Sequence, residues 1–318
     1  MVEILRPTKT VKNDGRDELR CSVYIETTWG SSSGEWGDPV QEAALRHDVF
    51  PPPAFDNDGN LYISDFINQR LLEYNNSNSL PTALHLPKAY FDSPFPLPYT
   101  KPHTAIEITM NNILVPYGEN KLGILHLDGT EDKTIELPYK HHILYSPHTL
   151  VLVDDRGGLI VNGERYAYFD VGWKDGQWNE ISSTLGPQQG LFLWDDVIGY
   201  STLAGTQVVL SIIDPSGNFL DDLYSQSTIK LPETGGDVLG VDDTGDLYFK
   251  IWNPVTPTYI RYSLHSTQSQ VGFISNIPDE QIIRSTISPD GAIYLIVYDR
   301  EDITVQPKIV KCHFPDER

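Results

Sequence analysis

The sequence predicts an all-β fold, a six-bladed β-propeller of four-stranded antiparallel blades. Three observations predict it. Short strand-and-turn units recur at intervals of 41 to 53 residues, a spacing that propellers share. A large apolar residue stands just before each turn entry. No stretch sustains a 3.6-residue apolar period, so helices should be few.

In chain order, the first element is an orphan strand, residues 19–28, upstream of the first full unit. The units then begin near residues 50, 104, 149, 190, 237 and 284, and together they make one domain over residues 1–318. Turn entries fall at Asp56, Thr109, Asp154, Asp195, Asp242 and Ser288. The residues before them are Phe55, Ile108, Val153, Trp194, Val241 and Ile287. All six are apolar, as expected of strands covered on both faces by neighbouring blades. Asn, Asp and Gly supply the tight turns. The last unit runs out after three strands, so residues 19–28 should supply its fourth and close the ring. Closure removes a sheet edge that would otherwise pair with other chains.

That closure makes Cys21 and Cys312 neighbours, and they are the chain's two cysteines. Either they form a disulfide linking the two ends of the ring, or they stay as two buried thiols. The first suits a secreted or periplasmic protein, the second a cytoplasmic one.

Composition narrows the partners. The chain is 39% hydrophobic and carries a net charge of −21. Such a field repels phosphate backbones and anionic lipid, so no nucleic acid and no membrane insertion is expected. No apolar run approaches the ~18 residues of a membrane helix. The charge serves either as a solvated surface or as an attraction for cationic ligands and metal ions. A monomer with a small-molecule or peptide ligand is the expectation.

The stretch Phe55 to Tyr74 contains DNDGNLYISD, then Asn68, Arg70 and an apolar strand. It resembles an NHL repeat. In that family the aspartate ending the second strand pairs with the arginine opening the third, which implies that Asp65 and Arg70 brace this blade. The glycine-rich segment TTWGSSSGEWGDP is similar to the linker before NHL inner strands. Lactonases, paraoxonases and strictosidine-synthase-like proteins share this architecture. The lactonase type opens with a Glu-Gly-Pro calcium motif, where this chain has Pro51-Pro52-Pro53-Ala54. The resemblance therefore implies the scaffold more than an activity.

Candidate chemistry gathers where inner strands begin. Lys101-Pro102-His103-Thr104 and Ser146-Pro147-His148-Thr149 open two consecutive units alike. His103 and His148 should share the channel mouth, as a divalent-metal site or an acid–base pair, unless each satisfies local backbone groups. Glu107 sits on an inner strand where the other units have Ala54, Leu152, Leu193, Gly240 and Thr286, as a catalytic acid or metal ligand, or as a carboxylate paired with a neighbouring cation or reaching channel water. Arg284 begins the last inner strand and could hold a ligand carboxylate, or be a surface cation. His141 and His142 are read in a loop approaching His148, with His142 a substrate contact. Trp29 and Trp36 form an aromatic wall for a ligand or pack over the blade. His47 lies nearby in a short helical turn, EAALRH. No GxSxG, P-loop or HExxH is present. Two functions compete: a hydrolase or lyase acting on a small polar molecule through the histidine pair, and a non-enzymatic binding module for a protein, peptide or glycan.

Overall fold

The computed structural model describes residues 9–10, 16–37, 53–56, 58–65, 67–75, 80–87, 107–108, 112–117, 121–136, 141–144, 151–154, 159–161, 171–174, 177–180, 190–194, 197–204, 207–213, 227–230, 236–251, 256–263, 266, 268–299, 302 and 304–315. For most strands between 141 and 238 the description stops at the backbone. The described residues are strands and turns, with one three-residue 3-10 turn at Asp279–Gln281. Among them, no helix is long and apolar enough to cross a membrane.

The strands form consecutive antiparallel sheets. The first sheet runs in order through Ala54–Phe55, Leu61–Asp65, Arg70–Tyr74 and Thr82–His85. The second uses Glu107–Ile108, Asn112–Tyr117, Lys121–His126 and Glu131–Glu136. Further sheets cover 190–230 and 236–273, and a last one covers 282–313. All six apolar residues before turn entries open a hairpin ladder, in the pairs Phe55↔Leu61, Ile108↔Ile113, Val153↔Leu159, Trp194↔Val197, Val241↔Leu247 and Ile287↔Ile293.

Between 141 and 180 the pattern departs from the expected four-stranded blade. Strands His141–Leu144, Val151–Asp154 and Leu159–Val161 form a three-stranded sheet, and Val171–Lys174 and Gln177–Glu180 form a separate hairpin. His141 and His142 are therefore strand residues, opposite Asp154 and Val153, where the sequence reading had them in a loop. The run HHIL has a β-branched, apolar end that finds a partner strand; the histidines before it masked that signal.

The N-terminal segment joins three sheets. Strand Arg20–Glu26 pairs antiparallel with Lys308–His313 and is the fourth strand of the last sheet. Before it, Arg16–Glu18 lies parallel to Val271–Phe273 and Lys9–Thr10 parallel to Ile229–Lys230. These two short pairings add a fifth strand to sheets that already have four. Register places Cys21 opposite Cys312, and the two form a disulfide.

Packing follows from strand burial. Leu61–Asp65 and Ile293–Val297 are buried at every position, as strands covered on both faces must be. Leu61, Ile63, Leu72 and Tyr74 pack against Ile283, Tyr294, Ile296 and Tyr298, so the first and last sheets share a core. Ile287, Ile293 and Leu295 meet Leu239, Tyr248 and Tyr259 of the 236–273 sheet. On the other side, Tyr62 and Leu71 meet Ile113, Val115 and Leu125 of the second sheet. Each such fully buried aliphatic side chain stabilises the fold by roughly 1.5–3 kcal/mol relative to exposure.

The turns repeat one device. Asp56 accepts from the amides of Asp58 (3.0 Å) and Asn60 (2.8 Å) and from the Tyr62 hydroxyl (3.2 Å). Asp242 accepts from the amides of Thr244 and Asp246, both 2.9 Å, and from the Tyr248 hydroxyl (3.0 Å). Ser288 accepts from the Ala292 amide at 3.1 Å. Three residues on, Gly59, Gly245 and Gly291 have φ of 78°, 81° and 78°, a left-handed conformation that favours glycine.

Candidate functional site

Inner strands enter the sheets at one end, and the turn that joins second to third strand lies at the same end. In the first sheet that turn carries a buried network. Asp65 is fully buried and meets Arg70 Nε at 2.9 Å. The pair ends one strand and starts the next, so backbone pairing Asp65↔Arg70 sets the contact. The guanidinium also donates to the carbonyls of Ser31 (3.3 Å) and Glu35 (2.5 Å). Asn68 Nδ2 donates to Gly30 O and to Asp65 Oδ2, both at 2.8 Å. Asp65 Oδ1 accepts from the Gly37 amide at 3.1 Å.

The glycine-rich segment is thereby clamped over the first sheet. Gly37 is required for the approach: a Cβ there would lie 2.4 Å from Ile67 Cβ and 2.7 Å from Asp65 Oδ1. Within the segment, Glu35 accepts from the Ser32 amide at 2.8 Å, and that bond holds its carboxyl below the usual carboxylate range. Trp36 is fully buried, and its Nε1 donates to Tyr74 Oη at 2.8 Å. Trp29 is partly buried and stands edge-on to Tyr298 at 5.2 Å. Of the two readings for these tryptophans, the described contacts are those of packing.

The last sheet begins at the same end. The 3-10 turn Asp279–Gln281 precedes its inner strand, and Asp279 pairs with Lys250 of the neighbouring sheet at 3.0 Å. Ser285 meets the buried hydroxyl of Tyr259 at 3.1 Å. Arg284 is half-buried and donates to Ile283 O at 3.2 Å. A bulge between Ile282 and Arg284 adds one residue to the strand. Such an insertion resets the alternation of side chains and re-aims its neighbours.

His103 and His148 lie outside the described residues, as does His47. Glu107 is on an inner strand, opposite Leu114, with its side chain outside the described atoms. The same holds for His142, opposite Val153. Among the described residues, no group of three His, Cys, Asp or Glu is arranged to hold a metal ion.

At the opposite end, burial pushes the hydroxyls of Tyr62 and Tyr248 upward, and the adjacent carboxylates add to it. Arg261 supports this end through Asp246, with Nε at 2.6 Å. The Asp-to-Tyr spacing of six residues, at 56/62 and 242/248, is a repeat signal that the sequence reading passed over.

No protein-family model and no curated protein matches the chain by sequence. Solved structures match it by fold. A streptogramin B lyase is 11% identical with a TM-score of 0.50, over 93% of this chain and 97% of that one. A putative exported protein from Bacteroides fragilis is 11% identical with a TM-score of 0.51, over 96% and 98%. These likenesses place the chain among the β-propellers, in accord with the NHL-like first sheet.

Proposed function

We propose that the chain closes as a six-bladed ring and acts on a small polar molecule at the end where its inner strands begin. The sheet at 141–161 and the hairpin at 171–180 then make up the third blade, between the second sheet and the 190–230 sheet. Contact between the first and last sheets supports closure.

The observation that carries the functional reading is the paired Pro-His-Thr at the openings of two consecutive units. Equivalent positions in adjacent repeats bring His103 and His148 to one mouth. There they act as an acid–base pair for a hydrolase or lyase, or hold a divalent metal ion. Glu107 supplies the carboxylate of that site. Arg284 and His142 contact the substrate, and a carboxylate on that substrate suits Arg284. A shared fold with a lyase adds nothing to this, because unrelated functions use the same propeller.

A non-enzymatic binding module is the second reading. It is favoured by how charges at this end are spent on each other, in Asp65–Arg70 and Lys250–Asp279. Metal analysis of the purified protein, with His103→Ala and His148→Ala assayed against a panel of small esters, lactones and sugars, separates the two. Bound metal or turnover lost in both variants upholds the enzyme. A metal-free protein whose ligand binding ignores both changes sinks it.

A further inference from the structure

The N-terminal segment crosses the outer edges of three consecutive sheets. Two of its pairings are parallel and short, covering two residues and three residues. Each lies outside a sheet that has four strands without it. The third pairing, Arg20–Glu26, is largely exposed apart from Ile25. The ladder to Lys308–His313, the burial of Ile25 and the edge-on contact of Tyr24 with Tyr294 at 5.3 Å seat this strand. Leu19 is 5% exposed and sits in a notch made by Gly272, where a Cβ would lie 2.4 Å from Leu19 Cδ2. The Ser275 hydroxyl donates to Glu18. Beyond these, the Cys21–Cys312 bond holds the segment covalently, with Cα atoms 4.1 Å apart. Cys312 is fully buried and Cys21 is half-buried, so an incoming thiolate meets Cys21 first.

We propose that residues 16–26 are a thiol-controlled latch, whose seat takes the same segment of a second copy once the bond is reduced. The co-reactant is a dithiol. Its thiolate attacks Cys21 Sγ, the S–S bond breaks, and the electron pair leaves on Cys312 Sγ, which takes a proton. The dithiol's second thiol then displaces Cys21. Two protein thiols result, and the dithiol leaves as a disulfide. The freed segment uncovers the edges at 269–273 and 308–313, whose unpaired backbone groups template a new strand. The segment that fits both those edges and the Gly272 notch is another copy of residues 16–26, so exchange produces a swapped dimer.

Dithiothreitol treatment of the folded, oxidised protein tests this. The readouts are thiol alkylation, hydrogen exchange and light scattering, followed by reoxidation at high concentration of mixed ¹⁴N and ¹⁵N chains. The latch requires two alkylated cysteines without denaturant. It requires loss of protection at 16–26 with protection kept at 61–65 and 293–297. After reoxidation, Cys21–Cys312 peptides that join ¹⁴N to ¹⁵N chains should appear in a disulfide-linked dimer. Thiols that react only in denaturant, protection at 16–26 that survives reduction, or exchange rising everywhere at once would overturn it. Reoxidation that gives bonds within one chain alone would overturn the exchange between copies.

Discussion

The first sheet and the last contribute matching strands, Leu61–Asp65 and Ile293–Val297, to one shared core, yet each is secured differently. In the first, a buried ion pair and its hydrogen bonds draw the glycine-rich segment down onto the blade. In the last, a strand from far away in the chain is added and fixed by a disulfide. Equal burial therefore does not imply equal means of attachment. One seam depends on charges that must stay paired, the other on the redox state of two sulfurs.

Breaking the first seam should have the largest effect. Asp65→Ala leaves the Arg70 guanidinium, 4% exposed, without its carboxylate. Removing one partner of a buried pair costs about 3–5 kcal/mol. Urea unfolding should show that loss, and a cost under ~1 kcal/mol would mean the clamp is ornamental. Next, Cys21→Ser removes a link spanning 291 residues. Native disulfides typically contribute about 2–4 kcal/mol, largely by restricting the unfolded chain. An unchanged guanidinium midpoint would contradict that.

Alkaline pH probes both sheets. Burial pushes the Tyr74 hydroxyl of the first sheet up to about 12, from an ordinary 10.0. Burial raises Tyr294 of the last sheet as well. Between these values the unfolded chain has lost protons that the fold retains. The stability from Tyr74 is complete below pH 10.0 and falls as pH climbs to about 12, by about 1.4 kcal/mol per pH unit. Unfolding curves that do not move across this window would count against it. The smallest effect belongs to Lys311, 3.3 Å from Asp290 and 5.2 Å above the Tyr294 ring. Burial opposes ionisation of Asp290, but the Ser288 hydroxyl and Lys311 outweigh it and hold its carboxyl low. Lys311→Met should cost under ~1 kcal/mol, since such partly exposed pairs are well screened. A larger shift in melting would show that the cation organises this edge.

Much of the scaffold was legible because it is written in local chemistry. The six apolar residues before turn entries open six ladders, and Asp65 and Arg70 meet because their strands pair side by side. The strand predicted at 19–28 occupies Arg20–Glu26. Harder to read were the carbonyls of Ser31 and Glu35, since backbone acceptors have no sequence signature. Short edge strands such as Lys9–Thr10 and Arg16–Glu18 are polar throughout, and they exist because a sheet edge is there to receive them. Trp36 was open to two readings, a ligand wall or packing over the blade; its ring is buried and its N–H goes to Tyr74, a partner 38 residues away that residue type alone does not name.

The added strand also imposes an order on biosynthesis. Cys21 leaves the ribosome 291 residues before Cys312, an interval of roughly 15–60 s at typical elongation rates. Through that time strand Arg20–Glu26 has no last sheet to join. Residues 20–26 must remain unpaired or be shielded until Lys308–His313 emerges, so their sheet is completed only when stretches of chain made 291 residues apart meet.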